Sequence, residues 1–457
     1  MVSPHNAPNA KPIWAHLDLR SLAVFRVALG CTLVLDVVTR LGHITEFYTD
    51  DGVLPRLLLS HTEFIDDWLC FHLGVGHWFG IFCLLMLQGA FAAALALGWR
   101  TKLMTIGCWF LLNSLHTRNP FVNDRGDLEL VLLLFWSAFL PLGAAWSLDA
   151  KAGRRDWGSD RGLPAAAYVL QIAQIYLFAG FLKYGDFWLA RGDGLFHSLQ
   201  SPLFATDLGF WLATAPFSLL KAMNYAVIAG EIFGGLLLLS PVSVEQARMV
   251  AVPMLALFHI AVFLLFNLGL FPLIGIVGLL PLIPSSFWES VPRKFHPAEK
   301  SVTEDFRSIP LWSKYALTLS IFLAALSNLT FRPDGESLQR PAILVGLSRA
   351  LALQQHWELF SPLPPYNGYF EIHTTDPPAT IRTPSEVEFR SHRWKMLMVA
   401  SLYPRFAFLR RGILTHLADS PDSGRYEFHV KLVDAEGKSK QAEIWVLFDG
   451  PVSGMKT

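Results

Sequence analysis

Long apolar stretches separated by short polar segments make up the first 330 residues of the chain. Nine of these stretches predict membrane-crossing helices, because a helix of about 20 mostly apolar residues spans a bilayer. They cover residues 21–41, 78–99, 103–117, 127–146, 164–184, 222–240, 247–267, 270–285 and 311–329. A tenth stretch, 210–222, is amphipathic and interrupted by proline, which is typical of a segment lying along the membrane surface.

The pattern changes after residue 335. Apolar and polar residues alternate over 368–373, 386–389, 425–433 and 441–448, which predicts strands, with residues 434–437 as a hairpin turn between the last two. Two segments between them, 393–400 and 410–417, predict short helices. We therefore predict three parts: a polar tail (1–20), an all-α membrane helix bundle (21–330) and a small α+β domain (335–457).

Composition agrees with a polytopic membrane protein. Of the 457 residues 53% are hydrophobic and only 16% charged, whereas soluble proteins have about 25% charged residues. The net charge is zero, which gives no indication of a nucleic-acid partner. The four cysteines form no CxxC motif, so we expect neither a disulfide framework nor a thiol redox centre. We predict no metal site.

Lysine and arginine positions predict the orientation. With the N-terminus in the cytoplasm, the inner loops carry fourteen of these residues and the outer loops carry six, as the positive-inside rule requires. Nine crossings then place the α+β domain on the outer face of the cell membrane. The first 20 residues show no cleavable signal pattern.

Polar residues at membrane depth gather in the outer half of this predicted bundle. They are Asp36, Arg40, Asn113, His116, Arg118, Asn119, Asn123, Asp124, Arg125, Asp127, Glu129, Lys183, Glu231, His259 and Asn267. Charges at this depth normally face a bundle interior or a wet cavity, so we predict one shared, outward-facing cavity. Arg26 is an exception, and its nearness to the inner surface predicts that it snorkels.

Each of these residues also has a structural interpretation. Asp36 and Arg40 have the i, i+4 spacing of a helical ion pair, and His116 has the surroundings of a packing histidine. The acidic residues at 124 and 127 suit a helix N-cap. Glu231 and His259 lie near the middle of their helices, and a structural and a functional role are both open. In the tail, Trp357, Phe360 and Pro362 are interpreted as docking contacts.

Lys183 ends the apolar run that begins near Pro164. It either snorkels to the membrane surface or is a buried base, since desolvation penalises its ammonium form. Its helical face carries Tyr176, Ala179 and Gly180, which leaves space for a flat ligand or for a tightly packed helix.

Several spaced motifs resemble the HTTM (horizontally transferred transmembrane) domain family, the bacterial relatives of vitamin K-dependent gamma-glutamyl carboxylase. The motifs span most of residues 15–330, and a weaker one lies in the tail. They are Leu22–Gly30, Phe47–Pro55, Arg118–Pro120, Phe139–Gly143, Trp146–Asp149, Tyr176–Gly180 with Lys183 and Trp188, Phe258–His259, Leu268–Phe271, Ser286–Trp288, Pro292–Lys294 and Trp357–Pro365.

The resemblance implies a mechanism. In the carboxylase a lysine deprotonates vitamin K hydroquinone, which reacts with O2 to give a strong base and finally the epoxide; the base removes a glutamate γ-proton and CO2 adds. Lys183 occupies the position of that lysine. His116, Asp124 and Asp127 are the other predicted catalytic residues.

The predicted cofactor is a reduced vitamin K or menaquinol-like hydroquinone, an isoprenoid quinol that enters from the lipid. The predicted residues around it are Tyr176, Phe178, Gly180, His259 and Asn267. Membrane lipid and a protein or peptide substrate on the outer face are the other expected partners.

Two departures from the family pattern keep a second hypothesis open. The carboxylase has an asparagine and then a histidine at the start of its fourth helix, whereas Asp124 follows Asn123 here. The tail of about 120 residues also lacks an obvious counterpart of the propeptide-binding domain. The alternative is a non-enzymatic maturation or assembly factor with a lipid or quinone pocket. A transporter is less favoured because no inverted repeat is evident.

Overall fold

The computed structural model describes residues 15–59, 70–154, 162–292, 310–330, 341–360, 367–375, 378–382, 391–403, 406, 408–417, 426–433 and 439–448. The longer helices among them are α1 (Leu19–Leu41), α4 (Trp78–Leu97), α5 (Thr101–Arg118), α6 (Arg125–Ser137), α8 (Leu163–Phe181), α11 (Phe217–Leu238), α12 (Val244–Leu265), α13 (Phe271–Leu279) and α15 (Leu311–Leu329). Shorter helices are α2 (Ile44–Tyr48), α3 (Arg56–Leu59), α7 (Leu148–Lys151), α9 (Gly194–Leu199), α10 (Asp207–Leu212), α14 (Ser285–Glu289), α16 (Ala342–Ala350), α17 (His392–Leu402) and α18 (Phe408–Leu417).

Each of the nine predicted apolar segments contains a helix. Four of the described helices, α1, α4, α8 and α12, are long and apolar enough to cross a membrane. The chain is thus a membrane protein, while the count of nine crossings and the orientation stay predictions. The segment 210–222 is not one helix, because α10 ends at Leu212 and Pro216 caps the start of α11.

The predicted helix 127–146 is wrong at its C-terminal end. Helix α6 ends at Ser137, and residues 138–146 form turns around Pro141, which cannot continue a helix. The buried Arg26 of α1 donates hydrogen bonds to the carbonyl groups of Leu142, Ala145 and Trp146. The prediction that Arg26 snorkels to the surface is therefore wrong, because these carbonyl groups replace water around its guanidinium group.

Glycines allow α8 and α11 to pack closely. A Cβ atom added to Gly180 would lie 2.5 Å from Cγ1 of Ile232, and one added to Gly235 would lie 2.7 Å from Cγ of Leu177. The small-residue face of α8 was predicted to leave space either for a flat ligand or for a tightly packed helix. At Gly180 the structure shows the second arrangement, with α11 packed against α8.

Replacement of Gly180 by alanine is expected to destabilise the protein by about 1–3 kcal/mol, because the added methyl group must displace Ile232 or separate the helices. Gly230→Ala on α11 is the matched control, since a Cβ atom there meets nothing within 4 Å. Thermal unfolding of the purified protein in detergent measures both variants. Equal melting temperatures for Gly180→Ala and wild type contradict the close packing.

The tail contains an antiparallel sheet of four strands in the order β2-β1-β3-β4: β1 (Asn367–Thr375), β2 (Pro378–Arg382), β3 (Tyr426–Val433) and β4 (Ser439–Phe448). Three strands coincide with predicted segments, and β2 was not predicted. The predicted strand 386–389 and the hairpin turn 434–437 lie outside the described residues.

The tail helices α17 and α18 share a hydrophobic core with the segments that follow α1 and α5. Trp394 is fully buried, its ring centroid lies 5.2 Å from that of Phe47, and its indole N–H donates to Glu46. Leu397 and Ile413 belong to the same core. A domain boundary at residue 335 stays a prediction, but these two helices are packed against the bundle.

The segment from Leu353 to Phe360 also enters the bundle. Gln355 exchanges hydrogen bonds with Gln171 of α8 (2.7 and 3.1 Å between side-chain N and O atoms), and Trp136 of α6 donates to Gln171. Trp357 is fully buried and donates to Gln355. The interpretation of Trp357 and Phe360 as docking residues agrees with this arrangement; Pro362 lies outside the described residues.

Candidate functional site

Lys183 and Glu231 form a buried ion pair. The Nζ atom of Lys183 lies 2.8 and 2.7 Å from the two carboxylate oxygens of Glu231, and each side chain is only 2% exposed. The sequence left open whether Lys183 snorkels to the membrane surface or is buried. In the structure it is buried. A lysine at this depth requires a counter-ion, and α11 supplies it.

The end of α8 positions this amine. The helix ends at Phe181, and the Nζ atom of Lys183 bends back to donate to the carbonyl oxygen of Ala179 at 3.1 Å. Gly185 then adopts φ 112°, a conformation that favours glycine, and the chain turns into a π-helical segment, Asp186–Arg191. This segment places the Trp188 ring 5.3 Å from Nζ.

A residue of the tail, Phe360, contacts the aromatic ring beside Lys183. The indole N–H of Trp188 donates to the backbone carbonyl of Phe360 at 2.9 Å. The Phe360 ring in turn packs against Phe204 and Phe266. The aromatic side of the Lys183 site is therefore held by the segment that precedes the sheet.

A second buried polar pair lies within one helical turn of Ala179. The hydroxyl group of Tyr176 and Nε2 of His259 are 2.9 Å apart, and Nδ1 of His259 has no hydrogen-bond partner although the residue is only 3% exposed. His259 lies against α13, where a Cβ atom on Gly275 would be 2.1 Å from the imidazole. Such an orphaned nitrogen in an apolar site marks a place where a further donor or acceptor fits.

A separate charge network connects α1, α5 and α6. Arg40, fully buried, binds Asp36 at 2.8 Å and Asp127 at 2.6 Å, and it donates to the Tyr48 hydroxyl group. His116 Nε2 lies 3.4 Å from the Asp127 carboxylate. The predicted i, i+4 ion pair is thus present, but its cation is shared by two carboxylates.

The second cation comes from the tail. Arg393 of α17 binds Asp36 at 2.8 Å and Asp127 at 3.1 Å, which gives two arginines for two carboxylates. Burial and the neighbouring Arg40 lower the pKa of Arg393, but Asp127 and Asp36 outweigh them and hold it above its ordinary value. The network is charge-balanced only when α17 is docked.

Arg393→Gln is expected to loosen α17, because it leaves two buried carboxylates with one arginine. We expect limited proteolysis to cleave the chain after residue 360 about tenfold faster if the docking of α17 is weakened by about 1.4 kcal/mol. Arg349→Gln, at an exposed arginine of α16, is the control. Identical cleavage of wild type and Arg393→Gln argues against the docking role.

Asp124 caps α6. Its carboxylate accepts from the backbone N–H of Asp127, and the Asp127 carboxylate accepts from the backbone N–H of Asp124, which is a reciprocal capping box. The other oxygen of Asp124 bonds to His392 of the tail. Asp124 and Asp127 therefore form the start of α6, as the N-cap interpretation predicted, and Asp127 also binds two arginines, which was not predicted.

The predicted site residues thus fall into separate places. Tyr176 and Gly180 lie on α8, Lys183 follows its end, and His259 bonds to Tyr176, whereas His116, Asp124 and Asp127 lie beside the arginines. Phe178 is half-buried beside the main core, and Asn267 is exposed, with its backbone N–H bonded to Phe204. Gly180 meets Ile232 and not open space.

Sequence reasoning left two important residues without an assignment. Glu231 was noted as an acid near the middle of an apolar helix but was not paired with Lys183. The signal that could have paired them is the need of a buried lysine for a counter-ion. Arg393 carried no signal, because an arginine in a polar tail is ordinary. Within the described parts of the chain, no three His, Cys, Asp or Glu side chains are placed to hold a metal ion.

Comparison with known proteins gives a family. A family model described as HTTM domain matches residues 14–288, which is more than half of the chain and includes α1 to α13 with Lys183, Glu231 and His259. No curated protein and no solved structure matches the chain. The chain is a membrane protein that belongs to the HTTM domain family.

Proposed function

We propose that this protein is a membrane enzyme that deprotonates and oxygenates an isoprenoid hydroquinone, with Lys183 as the base. The observation that carries this proposal is the Lys183–Glu231 pair, 2% exposed and beside an aromatic ring. A merely structural lysine in an apolar run costs desolvation energy, and intramembrane charges of this kind are commonly functional.

The pair itself is suited to hold or release one proton. The amine and the carboxylate share two short contacts, so a proton exchanges between Nζ and an oxygen of Glu231 without leaving the site. In the neutral form of the pair, Lys183 has a free lone pair and accepts a proton from a hydroxyl group. Glu231 is therefore the residue that controls how basic Lys183 is.

The surroundings fit a hydroquinone ring in their chemistry. Apolar helices and Trp188 would hold a ring, and the Tyr176 hydroxyl group, bonded to Nε2 of His259, offers hydrogen bonding to an oxygen. The Gly180 side offers no room, because Ile232 fills it. A hydroquinone, when bound, would supply the acidic hydroxyl group and the electrons for reduction of O2.

The direct test is the assay of the purified full-length protein in nanodiscs with reduced vitamin K or menaquinol and O2. Epoxide formed only with the hydroquinone supports the proposal, and its absence with both quinols rejects it. Labelled bicarbonate then decides whether CO2 is added to a glutamate side chain, which is the second step that the family resemblance implies.

A non-enzymatic maturation factor is the second candidate, and Asp124 favours it. The carboxylase histidine expected there is replaced by a residue that caps α6 and bonds to the tail. A client protein that co-purifies in stoichiometric amount, together with no quinol turnover, would establish this function. Turnover without a client establishes the enzyme.

A further inference from the structure

Glu129 is a buried acid that the proposed mechanism does not yet use. It lies on α6, only 3% exposed, and its Oε2 atom has no hydrogen-bond partner. Among the described residues no cation forms an ion pair with it. A carboxylate is very costly to bury in this way, so we expect Glu129 to carry a proton.

The glycine face of α13 brings Glu129 close to His259. A Cβ atom on Gly278 would lie 3.0 Å from Oε1 of Glu129, and one on Gly275 would lie 2.1–2.6 Å from three ring atoms of His259. Gly275 and Gly278 are neighbours on one helix face, about 5–6 Å apart. The carboxyl group of Glu129 and the imidazole of His259 therefore flank the same patch of backbone, and each has one unpartnered polar atom, Oε2 and Nδ1 respectively.

From His259 the polar groups continue to Lys183. Nε2 of His259 bonds to the Tyr176 hydroxyl group at 2.9 Å. Tyr176 precedes Ala179 by less than one turn of α8, and the Ala179 carbonyl oxygen accepts from Nζ of Lys183. A row of buried polar groups thus leads from Glu129 on α6 to the Lys183–Glu231 pair.

We propose that Glu129 is the proton reservoir of the Lys183 site, connected to it through His259 and Tyr176. The O–H bond of Glu129 breaks and its proton binds Nδ1 of His259; Nε2 of His259 gives its proton to Tyr176; and Tyr176 gives its hydroxyl proton to an oxygen anion of the substrate. Glu129 gains the negative charge that the oxygen anion loses. The direction of this transfer rests on the proposed function, whereas the proton pathway itself does not.

The groups that face Glu129 support a neutral acid and not an ion pair. Tyr168 of α8 lies beside it and donates to the Gly278 carbonyl oxygen at 2.9 Å. Asp124 and Tyr176 act on it electrostatically, and His259 lies beside Gly275, one turn of α13 from Gly278. None of these is a cation.

Infrared spectroscopy of the protein in nanodiscs tests the reservoir without any enzyme assay. We expect a protonated carboxylic-acid C=O band at neutral pH that is lost in Glu129→Gln and kept in Glu358→Gln, at an acid paired with Arg125 outside the row. A wild-type spectrum without the band, or a band kept in Glu129→Gln, overturns the proposal.

Transfer to D2O tests the pathway. The Glu129 band is expected to shift on exchange, and Tyr176→Phe and His259→Gln are expected to slow that exchange by at least about tenfold. Tyr168→Phe is the matched control, because this second buried tyrosine of α8 bonds to Gly278 and not to His259. Equal exchange rates in wild type and Tyr176→Phe overturn the pathway even if the protein proves to turn over a hydroquinone.

Where wild type turns over a hydroquinone, Glu129→Gln is expected to lower kcat by about 100-fold with little change in KM. Unchanged kcat overturns the reservoir while the assignment of Lys183 stands. Absence of turnover in wild type rejects the proposed function, and the infrared band and its exchange rate still decide the role of Glu129.

Discussion

Lys183→Ala is expected to abolish hydroquinone-dependent epoxide formation and to destabilise the protein. Loss of a general base lowers the rate by about 10²–10⁴-fold. Removal of one member of a buried ion pair costs about 3–5 kcal/mol, because the Glu231 carboxylate stays buried without its cation. Epoxide yield and thermal unfolding of the same preparation measure the two effects.

A double variant separates these effects. Lys183→Met with Glu231→Leu removes both charges and is expected to regain most of the lost stability, since an apolar pair often replaces a buried ion pair without cost. The double variant stays inactive if Lys183 is the base. Activity in the stable double variant excludes Lys183 from the chemistry.

Arg40→Met is expected to be the most damaging change outside the Lys183 site. Arg40 is fully buried and bridges Asp36, Asp127 and Tyr48, so its loss leaves two buried carboxylates with Arg393 as their one remaining arginine. We expect a loss of about 3–5 kcal/mol and a poorly folded protein. Size-exclusion chromatography in detergent and thermal unfolding measure the loss.

Arg40→Lys is the informative companion. It keeps the charge, but an ammonium group does not reproduce the three directed contacts of the guanidinium group, so an intermediate loss is expected. Arg40→Met combined with Asp36→Asn removes one charge of each sign and is expected to be more stable than Arg40→Met alone. A melting temperature of Arg40→Met equal to that of wild type would falsify the network as a stabilising element.

The helices were predictable because apolar length is a local property of the sequence. The segments around α1, α4, α8 and α12 were located to within a few residues. The large errors are at two helix ends: α6 ends at Ser137, four residues before Pro141, and α13, which was predicted to reach residue 285, ends at Leu279 before Pro281. The membrane class and the family motifs follow from the same local information.

The pairing of residues across helices was not predictable in the same way. Helical periodicity places Lys183 and Glu231 on their own helices but does not reveal that α8 and α11 are in contact, which depends on Gly180 and Gly235. Arg393 was missed because the tail was treated as a separate unit. Predictions failed where a charge is neutralised by a residue far away in sequence.

The two hydrogen bonds between the side chains of Gln171 and Gln355 have a consequence for biosynthesis. Its partners are separated by 184 positions, and Trp357 fills the core beside it. The membrane helices are therefore synthesised before residues 353–360, which bond to Gln171 and fill the core beside it. We expect a nascent chain that stops before Leu353 to remain an open intermediate with amide and indole groups uncovered, the kind of species that chaperones and proteases recognise. Quality control of this protein would thus act late, at the moment when residues 353–360 arrive.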